Sequence, residues 1–338
     1  MVLYLFLYFL LLIGAYASKR SPFVLYFLFA VMALMIGFRG ESVGTDTGEY
    51  LSLYESLGRD GYQGYPEPIY GKLCEWGCLA GISFQLFQTV LTFLALCCTA
   101  FVIRRQSPNY CLSLFLLISM YFLFYTMNIY RELIACYISV LACYILFEED
   151  FSWKKLKFVS LIFVAAGFHT SALLLLSLLL IRKIRLRGWL IVAGLFITLL
   201  IGVVDLANIF APLLGGYEQY LEKYSRSGSR LFLGLFLSMY WTMAFFYLYK
   251  KSNNDYRESV YMKMFFCGIL ASNLFIRQDM GLRIMLYFTI PLIIGIPRFV
   301  GESNNSLLNQ AIVVVYSSFY FFVFIIANSA DVVPYTID

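Results

Sequence analysis

Several ionisable side chains lie within the apolar stretches, at their ends or in the polar segments between them, and a basic residue among them that reaches the outer side more often has an anionic partner or ligand. They are Arg39, Asp46, Glu67, Arg131, His169, Arg230, Arg277, Asp279 and Arg283. Guanidinium groups bind phosphate without a metal ion, whereas carboxylates and imidazole accept and donate protons. Several arginines in such positions predict a site for a phosphorylated ligand.

Two of these residues belong to a polar segment that follows the second apolar stretch. Gly40, Gly44 and Gly48 alternate there with hydroxyl and carboxylate groups up to Tyr50. Backbone without side chains can approach a ligand closely. A turn-rich loop in which Thr45 or Asp46 caps a following helix explains the spacing equally.

Glu67 lies between two prolines, in a segment that the rings keep extended and rather rigid. The neighbouring Tyr65 and Tyr70 suit stacking on sugar rings. A surface loop without a special role is the alternative.

Arg131 opens a predicted helix, where the positive end of the helix dipole makes a cation unfavourable. Either Glu132 neutralises it and Asn128 caps the helix, or the arginine and the helix terminus face a bound diphosphate. Arg283 repeats this arrangement after a short turn that begins at Arg277 and also holds Asp279.

His169 is the only histidine of the chain and lies in the middle of the uncharged run from Phe158 to Ile181. It is either a turn or capping residue, or a proton acceptor or hydrogen-bond donor in an outward-facing cavity. No metal is expected, because there is no second histidine and no cysteine cluster. Cys74 and Cys78 are interpreted as ordinary thiols, with a disulfide or a metal pair as the open alternative.

The composition requires a bilayer, since 61% of the 338 residues are hydrophobic and 13% are charged. We therefore predict an all-α polytopic protein with a single transmembrane domain over residues 1–338 and no nucleic-acid partner. The first stretch is expected to anchor the chain rather than be cleaved. Spans are predicted near 1–17, 22–38, 84–103, 109–127, 131–148, 188–206, 230–249, 259–276, 283–297 and 309–327.

Basic clusters flank both ends of the run that contains His169. The positive-inside rule places both ends in the cytoplasm, so we predict a short helical hairpin that turns near His169. Its arms are either two short spans or a re-entrant pair. With the hairpin the chain crosses the membrane about twelve times. Residues 39–83 and 207–229 are then loops on the outer side, where both termini also lie.

Short motifs in a fixed order connect these residues to a known family. They are FRG-x-SVGTD after the second span, PEP-x-Y, NIYRE, FHTSA, and R-x-x-x-Y from Arg283 to Tyr287. Over residues 36–290 the chain resembles the EpsG-like polysaccharide polymerases, which are similar in role to Wzy-type O-antigen polymerases. Glu132 departs from the family's N-x-x-R-Q pattern.

The resemblance implies a metal-independent glycosyltransferase of GT-C-like fold, without a cofactor, at the outer face of the bacterial inner membrane. Its substrate would be an undecaprenyl-diphosphate-linked oligosaccharide, with membrane lipids and a chain-length regulator protein as further partners. Arg131 and Arg283 would bind the diphosphate with help from Arg39 and Arg277. His169 or Glu67 would be the base, and Asp46, Asn128 and Tyr50 would orient the sugar.

Other classes of membrane protein fit parts of the pattern. A flippase or other transporter of the same lipid also needs phosphate-binding arginines, but it favours midplane charges and internal repeats. An O-antigen ligase uses the same donor with another acceptor. An assembly subunit would not need a histidine inside an apolar run.

Overall fold

A computed structural model describes residues 1–17, 20–62, 64–147, 152–205, 228–257 and 259–337. The described residues form α-helices joined by short turns, and the extended pairing among them is one isolated bridge between Arg39 and Ile337. The helices are α1 (Val2–Ala17), α2 (Pro22–Gly37), α3 (Thr47–Asp60), α4 (Pro68–Leu79), α5 (Phe84–Gln106), α6 (Tyr110–Ser119), α7 (Phe122–Thr126), α8 (Tyr130–Phe147), α9 (Lys154–Ala166), a 3-10 helix (Thr170–Ser177), α10 (Leu178–Ile181), α11 (Gly188–Val204), α12 (Gly228–Lys251), α13 (Asn254–Arg257), α14 (Val260–Leu274), α15 (Asp279–Thr289), α16 (Leu292–Glu302) and α17 (Ser306–Ile326).

The chain is an all-helical membrane protein. Within the described residues, four helices are long and apolar enough to cross a bilayer: Phe84–Gln106, Tyr130–Phe147, Leu231–Lys251 and Ser306–Ile326. A fifth span results if the bent pair Met280–Thr289 and Leu292–Glu302 counts as one, and six apolar helices are shorter. Every predicted span coincides with a helix or a broken pair of helices. The count of twelve crossings stays a prediction.

Two predicted spans are interrupted. The helix expected over 109–127 breaks after α6, where Tyr121 adopts a positive φ of 69°. The helix expected over 283–297 breaks between α15 and α16 at Ile290 and Pro291. Ile290 keeps helical dihedral angles, but Pro291 lacks the amide hydrogen and its ring clashes with the carbonyl one turn earlier, so the second break follows from the sequence.

The polar segment 39–83 is not an irregular loop, because it folds into α3 and α4. Asp46 occupies the N-cap position of α3, although its side chain makes no capping hydrogen bond. Most of the other predicted outer loop, 207–229, lies outside the described residues, which resume at Gly228.

The run that contains His169 is interrupted where the hairpin was predicted to turn. α9 ends at Ala166, residues 167–169 form a break, and a 3-10 helix follows from Thr170. The interruption near His169 is therefore present. The reversal of chain direction stays a prediction.

The chain forms two compact units, of which the first comprises Met1–Leu176 and Ile293–Asp338. Its core is aromatic; for example, Tyr8 stacks on Phe321 with ring centroids 4.7 Å apart. Asn109 caps α6 by accepting from Leu112 N at 3.0 Å and donates to Ala15 O at 2.6 Å.

The C-terminal residues of the first unit lie on the segment that precedes α3. Gly40 N donates to Thr336 O at 2.9 Å, and Gly44 N donates to Asp331 O at 2.9 Å. The Tyr335 hydroxyl donates to Met35 O at 3.0 Å. We call residues 329–337 the C-terminal strap, since they hold this segment against the helices.

The second unit, Ser177–Leu292, is built around α11, α12, α14 and α15. A polar contact joins two of its helices, because Ser238 Oγ donates to Asn273 Oδ1 at 2.6 Å. Such interhelical hydrogen bonds stabilise helix pairs in lipid.

Candidate active site

Three helix termini of the first unit bring Glu67, Arg131 and His169 together. Glu67 immediately precedes α4, Arg131 is the second residue of α8, and His169 follows α9. The amides of Ile69 and Tyr70 at the start of α4 both donate to Gly167 O, at 3.0 and 3.1 Å. A side chain at Gly167 would place its Cβ 2.4 Å from Ile69 Cγ1, so this close approach requires glycine.

The Glu67 carboxylate bridges the other two residues. Its Oε2 accepts a hydrogen bond from Arg131 Nη1, and its Oε1 lies 2.6 Å from His169 Nδ1. Glu67 is only 5% exposed. A buried carboxylate is stable when it is paired and hydrogen-bonded, and here both oxygens are engaged.

Three tyrosines surround the Arg131 guanidinium. Its Cζ lies 5.5 Å from the ring centre of Tyr50, 5.4 Å from that of Tyr65 and 5.8 Å from that of Tyr70. The Tyr65 hydroxyl also accepts a hydrogen bond from Arg131 Nη1. Burial raises the pKa of Tyr65, so this hydroxyl stays neutral at physiological pH. The rings and the carboxylate together fix the position of the guanidinium.

The second ring nitrogen of His169 faces another carboxylate at a longer distance. Nε2 lies 3.8 Å from Glu132 Oε2, which is beyond hydrogen-bonding range. The His169 side chain is 22% exposed, whereas Glu132 is 2% exposed as a residue. Because an ionised carboxylate only accepts, the neutral imidazole carries its proton on Nδ1 beside Glu67, with a lone pair on Nε2.

Arg39 is buried among protein groups, unlike an arginine that faces a ligand. It is 2% exposed, its Nε donates to Thr47 Oγ1 at 3.1 Å, and its Nη1 donates to Gln88 Oε1 at 2.8 Å and to Ile36 O. These contacts tie the end of α2 to α3 and α5. In this conformation the guanidinium is enclosed by protein.

The remaining first-unit candidates lie around the start of α3. Tyr50 belongs to the tyrosine group around Arg131. Asp46 and Asn128 are half-buried and meet through Thr45, whose hydroxyl lies 2.9 Å from Asp46 Oδ1 and contacts Asn128 Oδ1. The segment before α3 is thus connected to the start of α8.

Arg277 and Arg283 belong to the second unit. Arg277 donates from Nε and Nη2 to Val203 O, at 3.1 and 2.8 Å, near the end of α11. Arg283 is half-buried within α15. The side chains of Arg230 and Asp279 lie outside the described residues.

Cys74 and Cys78 are free thiols in α4. Burial raises the pKa of Cys74 to about 12, as expected for a packing residue. This agrees with the interpretation of the pair as ordinary thiols.

Sequence reasoning did not identify the contact between Glu132 and His169 or the role of the tyrosines around Arg131. Tyr65 and Tyr70 were assigned to sugar stacking because they flank Glu67. In the structure both tyrosines contact Arg131, and stacking on a sugar stays a prediction. Only their closeness to Glu67 along the chain indicated that they belong to the site.

Comparison with known proteins supports one family. No curated protein and no solved structure matches the chain. The model of the EpsG family matches residues 23–337 and so includes all five motifs. The chain therefore belongs to the EpsG family, which indicates a membrane protein of the polysaccharide polymerase type.

Proposed function

We propose that this protein joins oligosaccharide repeat units carried on undecaprenyl diphosphate at the outer face of the bacterial inner membrane. The observation that supports this most directly is the contact of Glu67 with both Arg131 and His169. It combines a positioned imidazole with a fixed guanidinium in a member of the EpsG family. A GT-C-like arrangement of about twelve crossings is part of the same proposal.

The reaction requires a base and a means of stabilising the leaving group. A hydroxyl of one lipid-linked unit attacks the anomeric carbon of the growing chain. The bond from that carbon to the diphosphate oxygen breaks, and its electron pair stays on undecaprenyl diphosphate. The hydroxyl proton passes to the protein.

We assign the proton to Nε2 of His169. Both oxygens of Glu67 are engaged, which favours His169 over Glu67 as the base. Glu67 then orients the ring through Nδ1 and stabilises the imidazolium that forms. Glu132, 3.8 Å from Nε2, adds a second negative charge beside that cation.

Arg131 is the first-unit candidate for the diphosphate. Its Nε has no hydrogen-bond partner among the described residues. Its charge is shared with Glu67, so a diphosphate would approach a guanidinium that is already held in place. Arg277 and Arg283 remain proposed helpers that bind the diphosphate. Arg39 is enclosed by protein, so we propose that it helps only indirectly, by holding α2 against α3 and α5. Asp46, Asn128 and Tyr50 remain proposed sugar ligands.

The proposed orientation rests on the distribution of charge in the first unit. Arg104 and Arg105 end α5, Arg298 Nη1 donates to Gln106 Oε1 at 3.1 Å, and Arg20 Nε donates to Pro108 O at 2.8 Å. The starts of α5 and α8 lie at the other end, where the Tyr130 hydroxyl donates to Gln88 O at 3.0 Å. The positive-inside rule assigns the basic end to the cytoplasm and the Glu67 end to the periplasm.

A deletion strain complemented with variants tests the proposal through its lipid-linked and surface glycans. Arg131→Ala, Arg283→Ala and His169→Gln should each remove long polymer and leave the single-repeat product. Arg298→Ala, an exposed arginine paired with Glu302, serves as the control and should retain the ladder.

The deletion strain itself separates the functional classes. Single-repeat product without a ladder is expected for a polymerase. Loss of all outer product would instead identify a flippase, and polymer retained on the lipid carrier would identify a ligase.

A further inference from the structure

Arg39 is a buried cation whose partners are all neutral. They are Ile36 O, Thr47 Oγ1 and Gln88 Oε1. Its Nη2 is buried and has no hydrogen-bond partner among the residues that the structure describes. The side chain therefore retains both an unmet donor and an unbalanced charge.

A second unmet donor is attached to the same hydrogen bond. Gln88 is fully buried, and its Oε1 accepts from Arg39 Nη1 at 2.8 Å. Within the described part of the chain, the amide nitrogen Nε2 of that side chain has no hydrogen-bond partner. Nη2 and Nε2 belong to the two side-chain groups that this hydrogen bond joins.

Among the described residues, no carboxylate forms an ion pair with Arg39. The ionisable groups that act on it most strongly are four tyrosines, Tyr130, Tyr50, Tyr70 and Tyr335. Burial raises the pKa of Tyr50 and of Tyr70, which keeps these phenols neutral.

An enclosed species that only accepts hydrogen bonds and carries a negative charge would satisfy these groups together. Buried donors without acceptors and buried charges without partners are both costly. A lipid diphosphate is too bulky for a guanidinium that is 2% exposed. Water would accept the hydrogen bonds but would leave the charge unbalanced.

We propose that a chloride ion binds inside the first unit between Arg39 Nη2 and Gln88 Nε2, as a structural site beneath the Glu67 cluster. This site does not depend on the proposed polymerase activity. It stabilises the junction of α2, α3 and α5, because those helices provide or adjoin its ligands.

Thermal unfolding of the full-length protein tests the site. The protein is purified in detergent with sodium gluconate as the salt at every step. Its Tm is then compared at equal ionic strength in gluconate, chloride and bromide. We expect a rise of about 2–4 °C in either halide, as for a ligand that binds only the folded state. Equal Tm values in all three salts would overturn the proposal and indicate water.

Gln88→Glu provides the decisive variant, since it places a carboxylate beside Arg39 Nη1 without changing the size of the side chain. Its Tm should not respond to halide and should be at least that of the wild type in chloride. Gln85→Glu, one turn earlier on α5, adds the same charge elsewhere and should keep the halide response. A halide response that persists in Gln88→Glu would contradict the assigned position.

Discussion

Glu67→Gln tests the central arrangement of the site most directly. The substitution keeps the shape of the side chain but removes the charge that pairs with Arg131 and the acceptor that orients His169. An amide nitrogen beside Nδ1 would also favour the tautomer with its proton on Nε2, which cannot accept a proton there.

The magnitudes follow from burial and distance. Breaking a buried ion pair costs about 3–5 kcal/mol when the remaining charge has no other partner. The Arg131 side chain is 24% exposed and keeps its three tyrosine contacts, so we expect a loss of about 2–3 kcal/mol in the free energy of unfolding. In a serine protease triad, loss of the orienting carboxylate lowers kcat about 10⁴-fold. Glu132 still lies 3.8 Å from the ring, and we therefore expect a decrease on the order of 10³-fold.

The assay uses purified protein in liposomes with lipid-linked repeat units, with polymer length followed on gels and Tm measured in parallel. Glu75→Gln is the matched control, because Glu75 lies on the same α4 and pairs with the exposed Lys72 at 2.7 Å. The control should keep the wild-type rate and Tm. A Glu67→Gln protein that polymerises at the wild-type rate would refute the assignment of Glu67 as the residue that orients His169.

Three further outcomes follow from the described contacts. Arg131→Lys keeps the charge but not the planar fork that reaches Glu67 and Tyr65, and the polymerisation rate should fall about 10–100-fold in the same assay. A maleimide should leave Cys74 unmodified in the folded protein up to about pH 9, since burial raises its pKa to about 12, and mass spectrometry of labelled peptides checks this. Asn109→Ala removes the cap of α6 and a donor to Ala15 O, so the free energy of unfolding should drop by about 1–2 kcal/mol, as read from thermal unfolding.

The positions of the helices were largely predictable because apolar stretches of suitable length have few alternatives in a bilayer. The interruption near His169 was also predictable, since basic clusters on both sides of one apolar run conflict with a simple crossing. The break at Tyr121 was not predictable, because the residues around it are mostly apolar, with neither glycine nor proline among them, and Tyr121 is not a glycine.

The contacts within the site were less predictable from the sequence than the residues that belong to it. Arg131, Glu67 and His169 were expected at the same membrane face, because Arg131 lies at the outer end of a predicted span, Glu67 lies in the predicted outer loop 39–83 and His169 lies at the predicted hairpin turn. Which carboxylate pairs with Arg131 depends on how α4 docks on the end of α9, a contact between segments far apart in sequence. The direction of the Arg39 side chain was not predictable either. A residue at the end of a predicted span can face a ligand or the protein core.

The C-terminal strap has a consequence for the order of biosynthesis. Ser42 and Thr336, which meet across the strap, are separated by 294 residues. At a synthesis rate of about 5–20 residues per second, the ribosome needs roughly 15–60 s to make the intervening chain. During that interval the segment before α3 lacks the C-terminal strap, which it contacts in the folded protein. The end of the first unit that holds Glu67 is therefore completed only after α17 has been synthesised.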